Sequence, residues 1–324
     1  MWPRPLLLTL IVGAVIPVSA CSVMTGCNPA SPLFDPTQNG CLRFGVSTPG
    51  GPSAEAEFHR VAAIAGQAPS IVLSYSDFAS PPPIEGLKSV ADLAADPMVT
   101  WEPWRWLGDG EYDTQTFTMQ SIADGAHDDY LYWWAESLAK FEGIVYLRFA
   151  HEANGTWYPW SASRGTSPES YIATWRRAHQ IFAEKNADNV KWVWAPNVSF
   201  PGSTSIVDTY PGDDFVDVVG LDGYNWGTTR PTTHWIAPED LFGPTLDELH
   251  AIAPGKPIVV TEVGSAEQGG DKAQWVRKLL DFLQRDARVA GFIWFDHAKE
   301  TDWRLASTPE SAAAFAEELG SGRR

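Results

Sequence analysis

Ile144-Val145-Tyr146-Leu147-Arg148-Phe149-Ala150-His151-Glu152 is the stretch that decides the fold. A short run rich in β-formers stops abruptly on an ionisable pair, as a buried strand does where it reaches a functional rim. Pro257-Ile258-Val259-Val260-Thr261 repeats the pattern and stops on Glu262. Outward from these two, similar runs recur at Leu42–Ser47, Ser70–Tyr75, Met98–Glu102, Val190–Ala195, Val216–Leu221 and Ala290–Phe295. Between them lie segments of helical periodicity, among them Ala54–Ala65, Met119–Phe141, Pro168–Lys185, Thr245–Ala253, Lys272–Asp286 and Pro309–Leu319. Ser167 before Pro168 is a helix start with a cap residue and proline in the first turn. The link from Asn197 to Asp214 is short and rich in Gly and Pro, so its helix is doubtful. Eight strands with crossovers predict an α/β fold, a (β/α)8 TIM barrel in a single domain over residues 42–320. An open doubly wound sheet is the alternative, but no Gly-rich phosphate loop follows the first strand.

The chain has 324 residues, 44% of them hydrophobic, enough for one large core. Its net charge of −17 repels phosphate backbones, so no nucleic-acid partner is expected. Sixteen tryptophans are the compositional anomaly, and many of them stand beside Gly, Pro and charged residues rather than inside apolar runs. Flat indole faces outside a core serve as binding platforms. Sugar rings present a C–H face that suits them, which makes carbohydrate the first ligand class to consider.

Residues 1–20 read as a signal peptide: Arg4, an apolar run Leu6–Val18, then the small-residue cleavage site Val18-Ser19-Ala20. Val18-Ser19-Ala20-Cys21 also fits a bacterial lipobox, with Cys21 lipidated and tethered to the membrane; simple cleavage with free secretion is the other outcome. Residues 21–41 read as a tether, rich in Pro, Ser, Asn and Gly in its larger part. Of three cysteines, lipidation of Cys21 leaves Cys27 and Cys41 to pair as a disulfide outside the cell.

In a barrel, the residues just past the strand ends line the active face. Here they are Trp101-Glu102-Pro103-Trp104, His151-Glu152-Ala153-Asn154, Pro196-Asn197, Asp222-Gly223-Tyr224-Asn225-Trp226, Glu262-Val263-Gly264 and Asp296-His297. Acids, amides and aromatics converge. Glu152 ends the fourth strand and Glu262 the seventh, across a narrow mouth from each other. Glycoside cleavage with retention needs such a pair, an acid and a nucleophile whose carboxyls stand about 5–5.5 Å apart.

Arg148-Phe149-Ala150-His151-Glu152-Ala153-Asn154-Gly155-Thr156-Trp157-Tyr158-Pro159-Trp160 resembles the acid/base signature of glycoside hydrolase family 26. Val259-Val260-Thr261-Glu262-Val263-Gly264 is similar to that family's nucleophile strand, and the likeness runs over roughly residues 42–320. The resemblance implies a retaining, metal-independent barrel enzyme acting on polysaccharide. Members cleave β-mannan, mixed-linkage β-glucan or β-1,3-xylan. It implies Glu152 as acid/base, Glu262 as nucleophile and His151 as the neighbouring sugar-binding residue. Phe149 replaces a proline common among the mannanases, and Pro159 interrupts their tryptophan cluster. Trp101-Glu102-Pro103-Trp104 looks more like the glucanase branch, so mannan and mixed-linkage glucan both stay open.

Further roles are expected around this pair. Aromatic enclosure and the opposing nucleophile should raise the pKa of Glu152, with Trp157 or Trp160 as the apolar wall. Arg148 or Tyr224 would supply donors to Glu262, Arg148 serving equally well as a structural counter-ion. Trp294 is a candidate floor for the −1 subsite, the sugar position at the cleaved bond. Trp101, Trp104, Trp157, Trp160 and Trp226 are candidate platforms. Asn197 and Asp222 would bond sugar hydroxyls or cap loops. Asn154-Gly155-Thr156 and Asn197-Val198-Ser199 match the N-glycosylation pattern, which a bacterial lipobox argues against. No His-x-His follows the first strand and no close Cys/His cluster exists, so no metal or cofactor is expected. The protein is expected to work as an exported monomer. Two rivals make separate predictions: a non-catalytic glycan-binding lipoprotein would tolerate loss of either glutamate, and a metal-dependent hydrolase would lose activity to chelators.

Overall fold

The computed structural model describes residues 42–320. The expected leader 1–20, the tether 21–41, and Cys21, Cys27 and Cys41 lie outside those residues. Eight parallel strands form a closed barrel: β1 (Arg43–Ser47), β2 (Ile71–Asp77), β3 (Asp96–Glu102), β4 (Val145–Phe149), β5 (Val190–Trp194), β6 (Val218–Asn225), β7 (Ile258–Ser265) and β8 (Val289–Phe295). Each pairs with its neighbours in sequence, and β1 closes the ring on β8. Around them run α1 (Glu55–Ala65), α2 (Ile84–Asp92), α3 (Met119–Ala123), α4 (Asp128–Leu138), α5 (Pro168–Glu184), α6 (Pro238–Ile252), α7 (Lys272–Arg285) and α8 (Pro309–Leu319). The TIM barrel expected from the strand–helix alternation is what the chain forms.

Alternation along the strands divides the core into an interior and an outer layer. Ile71, Leu73, Met98, Tyr146, Val193, Val218, Val259 and Ile293 form one apolar cluster in the barrel interior. Their strand neighbours, such as Leu147, Val219, Val260 and Phe292, join the larger cluster shared with the helices. Two residues further along from Met98, Tyr146 and Val259, the interior turns polar with Thr100, Arg148 and Thr261, all fully buried. The site is built on that layer.

Strict alternation would send Thr261 and Glu262 to opposite faces. The register slips there on both sides of β7: Leu221 pairs with Val260 and Asp222 with Glu262, while Phe292 pairs with Val260 and Trp294 with Val263. This bulge adds one residue to β7 and turns both Thr261 and Glu262 inward. The mouth of β4 uses a different device. Ala150 and Glu152 both take left-handed backbone, at φ 44° and 54°. Each such residue costs on the order of 1–2 kcal/mol. Hydrogen bonds from Ala150 N to Trp101 O (3.0 Å) and from Glu152 N to Ala195 O (2.7 Å) hold the turn to both neighbouring strands.

Several details depart from the sequence reading. The single helix expected over Met119–Phe141 is two, α3 and α4, parted at Gly125, whose φ of 88° no helix tolerates. Helix α6 begins at Pro238 and carries Pro244 inside it, so it starts a full turn and more before the expected Thr245. Strand β6 runs to Asn225, past the expected end at Leu221. The doubtful link between β5 and β6 holds two short 3₁₀ turns, Ile206–Thr209 and Asp213–Phe215, in place of an α-helix. A two-stranded hairpin, Arg105–Gly108 with Glu111–Asp113, follows β3 and was not foreseen. Ser167 caps α5 as expected, accepting from Ser170 N.

Candidate active site

Arg148 is the centre of the polar layer. Its side chain is fully buried, and its Nε donates to Thr100 Oγ1 at 2.9 Å. One terminal nitrogen donates to Asp222 Oδ2 at 2.6 Å and the other to Glu262 Oε1. Thr261 Oγ1 donates to Asp222 Oδ1 at 2.6 Å. Arg148 thus lies beneath Glu262 both as a donor to it and as its buried counter-ion, the two roles expected for it, and it is not positioned as a direct sugar ligand.

Glu262 accepts two further hydrogen bonds, from Tyr75 Oη to Oε1 (2.8 Å) and from Tyr224 Oη to Oε2 (2.5 Å). Burial pushes this carboxyl up, but the Arg148 charge and the donors outweigh it and hold the pKa down to about 2. Glu262 is therefore an anion across the working pH range.

Glu152 sits in the opposite environment. Burial is the larger cause and the Glu262 charge the next, and together they raise its pKa to about 7. Asn197 Nδ2 donates to Oε1 at 2.6 Å and Trp157 Nε1 to Oε2 at 2.7 Å, which limits the rise. Asn197 is itself held by Asn154: its backbone N donates to Asn154 Oδ1 (2.9 Å), and Asn154 Nδ2 returns a bond to Asn197 O (2.8 Å). Asn154 is fully buried in that exchange, so it is no glycan acceptor. His151 is buried beside Tyr75 and Tyr158, with ring centroids 6.5 and 4.7 Å away. Burial, and then the Arg148 charge, keep its imidazole neutral. Its Nδ1 has no hydrogen-bond partner among the described residues.

The structure thus brings two hydrogen-bonded clusters together in one mouth, Glu262 with Arg148 and Tyr224, and Glu152 with Asn197 and Trp157, with His151 at their side. It removes two proposed sugar platforms. Trp101 is fully buried outside the barrel wall, stacked on Trp134 at 4.5 Å. Trp294 likewise faces the helices, edge-on to Phe315 at 4.7 Å, its Nε1 donating to Trp303 O at 2.8 Å. Neither can floor a subsite. Trp160 is buried too, stacked on Tyr158 at 4.4 Å and donating to His151 O, so it braces the loop that carries Glu152. Trp104 is half-buried, stacked on Tyr112 of the hairpin at 3.9 Å, with its Nε1 donating to Glu102 Oε2. Trp226 stands against Trp303 and under Arg230, whose guanidinium lies 3.5 Å from the ring centroid.

Two residues of the mouth had no role assigned from sequence. Tyr75, 38% exposed, touches Glu262 from β2. Its signal was faint, a tyrosine ending an apolar strand. Glu102 is a further carboxyl beside Glu152, Glu262 and Asp222, raised to about 8 mainly by burial, against the nearby Arg148 charge. It ends β3, as Glu262 ends the run Ile258–Thr261, and that position was the available signal.

The family model for glycosyl hydrolase family 26 matches residues 127–256. Endoglucanase H of Acetivibrio thermocellus is 39% identical over 231 residues, 69% of this chain and 24% of that protein. Mannan endo-1,4-β-mannosidase A and B of Caldalkalibacillus mannanilyticus is 29% identical over 172 residues, 50% of this chain and 30% of that protein. The chain therefore spans about a quarter to a third of the length of these relatives. Among solved structures, the catalytic domain of a family 26 endo-β-1,4-mannanase from Bacillus sp. JAMB-750 superposes with a TM-score of 0.64 at 22% identity. That match covers 86% of this chain and 85% of the other, and it speaks to the fold. Sequence likeness and barrel architecture agree: residues 127–256 match the family 26 model, and the chain resembles enzymes of glycoside hydrolase family 26.

Proposed function

We propose that this protein is a retaining endo-β-glycanase that works by double displacement, with Glu262 as nucleophile and Glu152 as acid/base. The observation that carries the proposal is the split between the two carboxyls: about 7 for Glu152 and about 2 for Glu262. Near pH 6 one holds a proton and the other cannot, which is the division of labour the reaction needs. In the first step a Glu262 oxygen attacks the anomeric carbon while Glu152 gives its proton to the departing glycosidic oxygen. The product is a glycosyl ester. Forming that ester removes the charge of Glu262, and with it the second-largest cause of the raised Glu152 pKa. Glu152 then becomes the stronger acid, stays ionised, and takes a proton from the water that cleaves the ester.

Mixed-linkage β-glucan is the proposed substrate. The support is the higher identity to a relative named as an endoglucanase than to one named as a mannosidase, 39% against 29%. Phe149 and Pro159, where many mannanases differ, point the same way. Export with a lipid on Cys21 completes the reading; mass spectrometry finding an unmodified Cys21 or Ser22 at the mature N-terminus would remove the anchor.

Glu262→Ala should abolish hydrolysis without altering the fold. Glu152→Ala should lose activity on polysaccharide but regain glycosylation on activated aryl glycosides, whose leaving groups need little protonation. Full turnover by either variant overturns the assignment. Proton NMR of the first product should show the β-anomer, and initial α-anomer rules out a nucleophilic Glu262. Barley β-glucan, lichenan, β-mannan and β-1,3-xylan assayed side by side should give the highest turnover on the mixed-linkage glucans.

A further inference from the structure

We infer that Lys272 is a positioning residue: from the first turn of α7 it clamps the segment after β8, so that Trp303 holds Tyr224 against Glu262. The inference rests on the glycanase reading above and extends it to a side chain whose own hydrogen bonds go to neither carboxyl of the pair. Lys272 is 1% exposed and opens α7, behind the cap residue Asp271, whose side chain accepts from Gln274 N at 2.9 Å. Both circumstances work against its charge. Burial disfavours the ammonium and lowers its pKa to about 8, against the acids Glu267, Asp302 and Asp296. The positive end of a helix disfavours it again. A cation stays in such a place only where hydrogen bonds compensate it.

Those hydrogen bonds go to one stretch of chain. Lys272 Nζ donates to Arg304 O at 2.8 Å and to Ser307 Oγ at 2.7 Å, fixing the backbone just past Trp303. Trp303 N donates to His297 O at 2.9 Å, and Trp303 O accepts from Trp294 Nε1 at 2.8 Å. Leu305 N donates to Asp296 Oδ1 at 2.7 Å. These last three holds come from β8 and the residues that follow it. Lys272 adds the tie to α7.

Trp303 carries that hold to the site. It is fully buried, with its ring centroid 5.0 Å from that of Tyr224 and 4.8 Å from that of Trp226. Gly264 of β7 shows how closely they pack: a Cβ there would stand 3.1 Å from Trp303 Cε3 and 3.1 Å from Tyr224 Cδ1. Phe295 meets the Tyr224 ring edge-on at 5.7 Å. Between these neighbours Tyr224 has one place to stand, and there its Oη donates to Glu262 Oε2 at 2.5 Å. In an interior packed this densely, a shift of the backing ring moves the ring in front of it. A hydrogen bond weakens steeply as its alignment is lost, so a slackened clamp reaches Glu262 as a poorer donor.

Carboxyl-carbon NMR of glutamate-labelled protein follows Glu262 without any substrate, with Glu262→Gln to assign its signal. Tyr224→Phe deletes the donor and should raise the Glu262 pKa from about 2 to about 3 or higher. Lys272→Met keeps most of the volume and should raise it in the same direction, by no more than Tyr224→Phe does. On 2,4-dinitrophenyl β-cellobioside, Lys272→Met should lower kcat about fivefold and Tyr224→Phe about tenfold. In the double variant, Lys272→Met should add nothing to either readout, because its effect passes through the tyrosine hydroxyl. A further loss in the double variant would mean that Lys272 acts by its charge or through general stability, and overturns the inference. A Lys272→Met protein whose Glu262 titrates as in the wild type overturns it too. If Lys272→Met does not fold, Ser307→Ala, which removes one acceptor and no charge, carries the same comparison. A raised Glu262 pKa in that variant supports the clamp, and an unchanged one overturns it. If the wild type cleaves neither the aryl glycoside nor barley β-glucan, the glycanase reading fails by itself, and the titration still decides the clamp.

Discussion

Each oxygen of Glu262 has its own tyrosine, and the two were unequally legible. Tyr224 follows the buried run of β6 in a cluster of polar and aromatic residues, so its place beside Glu262 was readable. Tyr75 ends a run of Val, Leu and Ser that reads as core, and only the barrel reveals that it meets a carboxylate from five strands away. A hydrogen bond to a charged group contributes roughly 1.5–3 kcal/mol. Tyr75→Phe removes one that stabilises the Glu262 anion, so the Glu262 pKa must rise above about 2. The acid limb of kcat/KM should move to higher pH, and kcat should fall about tenfold or more. The alkaline limb, set by Glu152 losing its proton near 7, should stay where it is. An unmoved acid limb in stopped assays across pH 3–8 would show that Tyr75 is only a wall residue. Trp101 shows the converse, a signal present but unused. Neighbouring residues on a strand face opposite ways, so placing Glu102 in the mouth already sent Trp101 outward. The same rule could not be applied to Trp294 without the register against Val263.

At the scale of elements, the strands and most helices follow from periodicity, because burial on two faces leaves continuous apolar runs. What periodicity could not supply is the bulge in β7 and the double left-handed turn after β4, since both depend on contacts between strands. The interior at the foot of the site is tight. A Cβ on Gly220 would stand 2.5 Å from Ala195 Cβ and 2.7 Å from Thr261 Oγ1. Both neighbours are short side chains on adjacent barrel strands or their ends, so neither can swing aside. Thr261 would have to release Asp222, and β5 or β7 would have to move. Gly220→Ala should therefore destabilise the protein by roughly 1–3 kcal/mol. Displacing Thr261 and its bulge partner Glu262 should also reduce kcat. A denaturation midpoint equal to wild type would mean that the strands part more easily than a closed barrel allows.

Over the whole molecule, one ionic network joins fold and chemistry. Arg148 links β4 to Thr100 of β3, Asp222 of β6 and Glu262 of β7, all within the barrel. The sequence left Arg148 open as donor to Glu262 or as structural counter-ion; buried beneath that carboxylate it is both, a fact set by the closed sheet rather than by local pattern. Removing one partner of a buried network leaves the others uncompensated, at a cost of about 3–5 kcal/mol. Arg148→Met keeps the volume and removes the charge, so it should destabilise the protein by about that amount at pH 7. The sign of its pH dependence follows from Glu262. In the wild type the Glu262 pKa is depressed from 4.5 to about 2, so its contribution is fully present above 4.5 and is lost as pH falls toward 2. In the variant, burial without Arg148 must raise that pKa, making the anion a liability at neutral pH that protonation relieves. The stability gap between the two proteins should be widest at pH 7 and should narrow as pH falls through the variant's raised Glu262 pKa toward 2. Urea unfolding at pH 7 and pH 4 measures it directly. A gap of equal size at both values would mean that Arg148 stabilises the barrel by packing, and that the low pKa of Glu262 has another source.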